Sequence, residues 1–393
     1  MVEWTDYYWY NIKGDEPVDK SIVKILSLIE ENGFEAYVVG GYVRDFLLDK
    51  DTKDIDICTN ARVVELVDIF NDFNIVSNNY GAVKITYNDY KFDITTYREE
   101  LKYNGNRRSL EIKYIDNLVE DIKRRDFTCN TLCMSKEGNI IDVLNGKEDI
   151  DNKIIRCVGD VNKKLTEDPL RMLRAIRFAT VLDFKLDKEL YDTILEKREL
   201  VGTLSTTRIK EELTKILVSK KATKGLNYLK RLKLTEYMGI EYEKVKVVSD
   251  ICGMYSQINF IREYPFTIKE KESIDKINNL VNSGRIDKYS IIEYGLYICS
   301  VAGDILGYKK RDIIKMDKEL SIKDKNDINI TGHEICNILG CKPSKVIGMV
   351  YDEVLVQIVE KNIKNEKNDI SNYIYNNRKK WVNGGKRKIK EGT

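Results

Sequence analysis

Gly40-Gly41-Tyr42-Val43-Arg44-Asp45 and, nine residues further on, Asp54-Ile55-Asp56 decide how this chain is read. Ahead of the glycines runs the apolar stretch Ala36-Tyr37-Val38-Val39, and Phe46-Leu47-Leu48 resumes helical spacing after Arg44. The pattern predicts a strand, a tight turn and a helix. Glycine lets the backbone approach a ligand with no Cβ in the way, and the helix N-terminus beyond it offers unpaired N–H groups to an anion. Arg44 adds a fork of donors suited to phosphate oxygens. A Gly-Gly turn alone says little; the aspartates say more. Residues i and i+2 of a strand share a face, so Asp54 and Asp56 stand together while Ile55 and Ile57 face the core. Their Cα atoms are expected about 6.6 Å apart, near enough for both carboxylates to reach a shared pair of cations. Magnesium, which favours carboxylate oxygen together with substrate phosphate, is the expected cation. A solvent-facing edge strand with two acids is the competing reading of these residues alone. Asp93, in Lys91-Phe92-Asp93-Ile94-Thr95-Thr96, is a third candidate carboxylate in an alternating strand.

At 393 residues, 42% of them hydrophobic, the chain is too long for one core and is expected to form roughly two to four domains. No apolar run reaches the roughly 18 residues of a membrane helix, and Met1-Val2-Glu3-Trp4-Thr5-Asp6 does not resemble a signal sequence. A cytoplasmic protein with no membrane partner is expected. The eight cysteines are scattered without a Cys-x-x-Cys pair and read as small core residues of a reducing compartment. His333, the single histidine, excludes any metal site that needs two imidazoles. Lys plus Arg number 66 against 64 Asp plus Glu, so affinity for nucleic acid must come from local patches.

Residues 34 to about 146 alternate short strands (Val38-Val39, Ile55–Ile57, Ala82–Tyr87, Phe92–Ile94, Ile112–Tyr114, Ile140–Val143) with a helix over 61–70. A helix is expected from Ser21 to Glu30. From Thr166 onward nearly everything has helical spacing, interrupted by few prolines, and the chain reads as folded to about Tyr375. Arg378-Lys379-Lys380 and Lys386-Arg387-Lys388-Ile389-Lys390 then read as a basic tail, for which a frayed, solvated terminus is the plain interpretation.

Two further stretches carry chemistry. Arg124-Arg125-Asp126-Phe127-Thr128-Cys129-Asn130 sets two cations, an anion and an amide within seven residues; Arg125 is suited to phosphate, Asp126 and Asn130 to ribose hydroxyls. In Glu167-Asp168-Pro169-Leu170-Arg171-Met172-Leu173-Arg174-Ala175-Ile176-Arg177-Phe178, the three arginines trace an arc about 120° wide on a helix, and such like charges in register invite an anionic partner. Asp168 is placed as an N-cap before Pro169. With Arg171 it also offers an acceptor and a planar donor fork three residues apart, complementary to the pairing edge of a nucleobase.

In this order the motifs resemble the class II branch of the nucleotidyltransferase superfamily, the bacterial CCA-adding tRNA nucleotidyltransferases and poly(A) polymerases. The corresponding residues are 40 to 45, Asp54 and Asp56, 124 to 130, Asp142 with Gly146, 167 to 171, and Arg208-Ile209 with Glu212-Leu213. The resemblance implies an α+β fold: a polymerase-beta-like head with a mixed sheet and helices over 34–150, preceded by an N-terminal extension and helix over 1–33. An all-helical neck over 151–215, a body over 216–310 and a tail over 311–393 follow. It implies that Asp54 and Asp56 hold two magnesium ions for attack of the tRNA 3′-hydroxyl on the α-phosphate, with Asp93 as the third strand acid. Gly40, Gly41, Arg44 and Arg125 would then hold the triphosphate, and Asp126 and Asn130 the ribose. Asp168 and Arg171 would pair with CTP and then ATP, Arg174 and Arg177 would support that pocket, and Arg208 and Glu212 would steady the selecting helix.

Tyr103-Asn104-Gly105-Asn106-Arg107-Arg108-Ser109 resembles the flexible loop of CCA-adding and A-adding enzymes, which CC-adding enzymes typically lack. Stretches 328–335 and 340–348 are similar to the tail of Gram-positive-type CCA-adding enzymes. The expected partners are tRNA, CTP and ATP and not DNA, with basic helices at Lys220-Lys221, Lys224, Lys230-Arg231 and Lys233 for RNA phosphates. A-adding, CC-adding and poly(A) activities stay open as alternatives, as does an inactive tRNA-binding module. Two departures are visible: Thr131 stands where the family has a small alanine, and Tyr80-Gly81-Ala82-Val83 lacks the family's histidine.

Overall fold

The computed structural model describes residues 8–10, 18–77, 81–100 and 112–382, so the loop at 103–109 and the run at 386–390 lie outside the described residues. The chain divides into two compact units, one of residues 1–241 and 260–265, the other of 242–259 and 266–393.

The first unit is built on an eight-stranded sheet in the order β1-β10-β9-β2-β3-β6-β5-β4. Its strands are β1 (Tyr8–Tyr10), β2 (Ala36–Val39), β3 (Asp54–Thr59), β4 (Asn74–Ser77), β5 (Ala82–Tyr87), β6 (Tyr90–Thr96), β9 (Cys133–Met134) and β10 (Ile140–Asp142). β7 (Arg98–Glu100) and β8 (Ile112–Tyr114) form a separate antiparallel pair. Every neighbouring pair in the sheet is antiparallel except β3 with β6, which makes the sheet mixed. The parallel pairing is possible because α3 (Val63–Ile69) and the β4–β5 hairpin carry the chain from β3 round to β6.

On one face, α1 (Lys20–Glu31) buries Ile22, Ile25, Leu26 and Ile29 completely, a helical stripe started by the Asp19 cap. On the other, α4 (Leu118–Lys123) covers Val39, Cys58, Cys133 and Ile141 with Leu118 and Ile122. Strand alternation puts Asp54 and Asp56 on this second face, beyond the cover of α4, while Ile55 and Ile57 are buried on the first. Tyr8–Tyr10 and α1 are thus woven into the sheet unit, β1 pairing to β10 and α1 lying beneath the sheet.

The sequence did not disclose β1, β4, β7, β9 and α4, and its helix over 61–70 is the shorter α3, Val63–Ile69. The missed strands are two to four residues long, too short to display a period. After α5 (Gly146–Asp151) helices take over: α6 (Val161–Glu167), α7 (Leu170–Val181), α8 (Lys188–Lys197), α9 (Thr206–Leu217) and α10 (Ala222–Arg231). A short parallel pair, β11 (Ile154–Ile155) with β12 (Lys185–Leu186), lies among them.

The second unit is helical around its own core, including Ile277, Cys299, Ile313, Ile335, Val354 and Ile370. One helix, Lys288–Leu306, is broken by Gly295 at φ 81° and ψ 160°, a conformation open to glycine. Order continues past Tyr375: Arg378, Lys379 and Lys380 are not a frayed tail. Lys379–Val382 is helical, Lys380 pairs with Glu353 at 2.9 Å, and Trp381 is buried, which anchors the segment. Among the described residues no helix is long and apolar enough to cross a membrane. None of the eight cysteines is in a disulfide, and all but Cys341 are buried.

Candidate active site

Gly40 ends β2 and caps α2 (Gly41–Leu47) with φ 78° and ψ −124°, a backbone state that a side chain would strain. A Cβ there would lie 3.6 Å from Arg125 Nη1 and 3.6 Å from Asp56 Oδ2, so the turn runs between a cation and a carboxylate. Arg44, one turn into α2, is buried. Its Nε and Nη2 donate to the Asp45 carboxylate at 2.9 Å each, and its Nη1 donates to Asn130 Oδ1.

The register of β3 and β6 sets Asp56 opposite Asp93, and that of β6 and β5 sets Asp93 opposite Lys84. Lys84 pairs with Asp93 Oδ2 at 2.5 Å, while the buried Asp93 Oδ1 has no hydrogen-bond partner among the described residues. The Asp54 and Asp56 carboxylates make no ion pair there either. Crowding by protein raises the Asp56 carboxyl above its ordinary range although its strand face is open to water. Arg125 pulls it down, Asp93 pushes it up, Lys84 pulls it down and Asp54 adds to the push.

Open carboxylates and an orphaned buried oxygen suit a hard divalent cation. Among the described residues, however, no three His, Cys, Asp or Glu side chains converge closely enough to hold a metal ion by themselves. Substrate phosphate would have to complete such a site.

Arg125 is held from behind by Asp121, a fully buried carboxylate of α4. Asp121 lies 3.2 Å from Arg125, 2.8 Å from Arg124, and accepts from the Arg98 backbone N–H. Burial is the largest single influence on Arg125 and disfavours its charge, but Asp121, Cys58 and Cys133 together hold the guanidinium above its ordinary pKa. Asp126 accepts from Arg174 Nε at 2.8 Å and from Asn130 Nδ2 at 3.3 Å. Burial is the largest single influence and pushes its carboxyl up, yet Arg174, Asn130 and the Phe127 N–H together leave it below its ordinary value.

The turn carrying Asp126 and Asn130 is clipped from below. Asp142 accepts from the N–H groups of Leu144, Gly146 and Lys147, and a Cβ on Gly146 would come within 2.3 Å of the Thr128 carbonyl oxygen. Thr128 Oγ1 donates to Asp149 at 2.6 Å.

Asp168 ends α6 and, one residue ahead of Pro169, the N-cap of α7, accepts from the Leu170 N–H at 3.2 Å. Arg208 Nη2, from α9, donates to both its oxygens at 2.9 and 3.2 Å. Arg171 donates to the Lys164 carbonyl at 2.7 Å, and its Nη1 lies 3.4 Å from Glu167. Arg177 pairs with the buried Glu212 at 2.6 Å, which also takes Lys215 at 3.2 Å. Burial lowers the Arg177 pKa, against the pull of Glu212 and with the push of Arg174.

Phe178 was not singled out in the sequence, and it is the hub. The Arg44, Arg174 and Arg177 guanidinium carbons lie 5.4, 5.5 and 3.9 Å from its ring centre, while Phe127 meets the ring edge-on at 5.7 Å. A cavity of about 430 Å³ gathers Gly40, Gly41, Arg44, Asp56, Arg125, Asp126, Asn130, Asp168, Arg171, Arg174 and Arg177, together with Arg124 and Phe178. Asp54 and Asp93 do not line it; they flank it along the sheet. A second hollow of about 600 Å³ on α10 is basic, with Lys185, Lys220, Lys221, Lys224 and Arg231 against one acid, Asp183.

The arrangement joins the open acid Asp56, a glycine turn and a wall of arginines in one hollow. Residues 36–156 match the family described as poly A polymerase head domain, 183–242 the probable RNA and SrmB-binding site of polymerase A, and 260–374 the putative tRNA nucleotidyltransferase domain 2. The chain is 30% identical over 371 residues to the CCA-adding enzyme of Pediococcus pentosaceus, spanning 87% of this chain and 94% of that one. It is also 30% identical over 380 residues to the CCA-adding enzyme of Ligilactobacillus salivarius, spanning 88% and 94%. Its fold is like that of the Bacillus stearothermophilus CCA-adding enzyme in complex with CTP, with a TM-score of 0.80 at 24% identity over 92% of this chain and 98% of that one.

Proposed function

The chain belongs to the family of CCA-adding enzymes, and we propose on that premise that it builds the C-C-A end of tRNA from CTP and ATP without a nucleic-acid template, releasing pyrophosphate. The observation that carries this reading is the hollow in which the Gly40-Gly41 turn, the Asp56 carboxylate, Asp168 and Arg171 meet. Enzymes of this family are nucleotidyltransferases that typically use divalent metal. Two magnesium ions are the form proposed here, with Asp54 and Asp56 as the protein's ligands and Asp93 beside them. Bound there, the ions would make the tRNA 3′-hydroxyl a better nucleophile and stabilise the leaving pyrophosphate.

The residues of the chain do the rest. The Gly40-Gly41 backbone, Arg44 and Arg125 position the triphosphate, and Asp121 fixes the Arg125 fork from behind. Asp126 and Asn130, clipped by Asp142 and Gly146, face the ribose. Asp168 reads the base with an oxygen lone pair left over by Arg208 and the Leu170 N–H, since a carboxylate has about four such sites. The basic hollow on α10 is assigned to tRNA phosphates, read by shape and charge and not by sequence. Free cysteines and tRNA as substrate fit a cytoplasmic enzyme.

Purified protein given tRNA lacking its last three nucleotides, with CTP alone, ATP alone and both, tests the reading. Addition of C-C from CTP alone and C-C-A from both is expected. A product that stops at C-C, gains only a terminal A, or carries a long A tract reassigns the chain within its family, and no addition sinks the proposal.

A further inference from the structure

Across β3, β6 and β5, Asp56, Asp93 and Lys84 occupy adjacent register positions on one face. Lys84 Nζ holds Asp93 Oδ2 at 2.5 Å, and the other Asp93 oxygen is buried without a partner among the described residues. The strand beneath Lys84 is pinned by the fully buried Val83 and Ile85, whereas the Lys84 side chain itself is 53% exposed. Its ammonium can therefore leave Asp93 without disturbing the core. The carboxylates Asp54, Asp56 and Asp93 face two cations, Lys84 and Arg125. Of these, Arg125 is anchored by Asp121, and among the described residues Lys84 is ion-paired only with Asp93. An ammonium and a divalent ion seek the same carboxylate oxygens.

We propose that Lys84 is a positioning residue of the active site, a tethered counter-cation that holds Asp93 beside Asp56 and yields its place to a divalent ion arriving with the nucleotide. This rests on the reading of the β3 face as the metal-binding one. The exchange makes ion binding depend on substrate. Displacing the ammonium weakens the hold on an ion that comes alone, and triphosphate oxygens restore it, so the site loads when both reactants for phosphoryl transfer are present.

Manganese alone, titrated into the full chain and followed by the paramagnetic resonance of the free ion, measures this without turnover. Lys84→Met should bind it roughly fivefold more tightly than the wild type, because the competing pair is gone. Lys84→Arg, which keeps the charge, should stay close to the wild type. Adding CTP should tighten manganese binding less in Lys84→Met than in the wild type. Unchanged or weaker manganese affinity in a folded Lys84→Met protein overturns the role of Lys84. Asp54→Ala separates that failure from failure of the underlying reading: manganese bound undiminished by Asp54→Ala overturns the metal assignment itself.

Discussion

The strand face and the arginine wall treat charge in opposite ways. On β3, Asp54 and Asp56 stand without an ion pair among the described residues, and Asp93 keeps one buried oxygen unsatisfied. Along α7, the acids and bases are closed on one another: Arg174 on Asp126, Arg177 on Glu212, Arg208 on Asp168. Like charges on a strand face cost stability unless something from outside neutralises them, whereas a closed lattice of pairs keeps its shape before any ligand arrives. On the proposed reading, the first region is arranged for incoming cations. On the same reading, the second is arranged to be rigid when a base comes to be read.

The sharpest way to break this comparison is to remove a carboxylate from the open face. Asp54→Ala or Asp56→Ala should lower nucleotide addition by about 10³-fold or more, since the group acts on charge that develops during the reaction. Affinity for tRNA and thermal stability should stay close to the wild type, because among the described residues neither side chain makes a hydrogen bond or an ion pair. A far smaller loss of turnover in either variant, or a protein that unfolds earlier, would place these acids with the closed lattice instead.

Glu212→Ala asks the converse question. It leaves the Arg177 guanidinium, only 15% exposed, without its partner, and breaking a buried pair in this way costs about 3–5 kcal/mol. Chemical denaturation should show that loss directly, with turnover affected chiefly through the folded fraction. A stability close to the wild type would mean that α9 does not brace α7 through this pair.

What the sequence disclosed follows the same division. The open face was legible because its features are local: two glycines after an apolar run, and acids at i and i+2 of a strand. The arginine arc on α7 was legible from helical spacing for the same reason. The partners that close it come from 35 to 48 residues away, and no local pattern announces Arg174 with Asp126 or Arg177 with Glu212. Arg44, Arg174 and Arg177 converge on Phe178, which looked like one more apolar residue of a helix. The Asp142 and Gly146 pair was recognisable only as part of a resemblance. Its physical content, a carboxylate collecting three N–H groups beneath a turn that leaves no room for a Cβ, needed the third dimension.

Asp168 belongs to both regimes, and it gives the smallest of the expected effects. One of its tasks is internal, accepting from the Leu170 N–H and holding Arg208; the other is the proposed reading of the base. Asp168→Ala removes both, and the loss of a hydrogen bond to a charged group, about 1.5–3 kcal/mol, should relax the preference for CTP and ATP over UTP and GTP by roughly ten- to a hundredfold in competitive incorporation. Arg208→Ala separates the tasks. It keeps the carboxylate and its bond to the Leu170 N–H while removing the brace, so base choice should suffer less than in Asp168→Ala. If the two variants relax base choice equally, Asp168 acts only through the lattice, and the reading of the base rests with Arg171 and the wall around it.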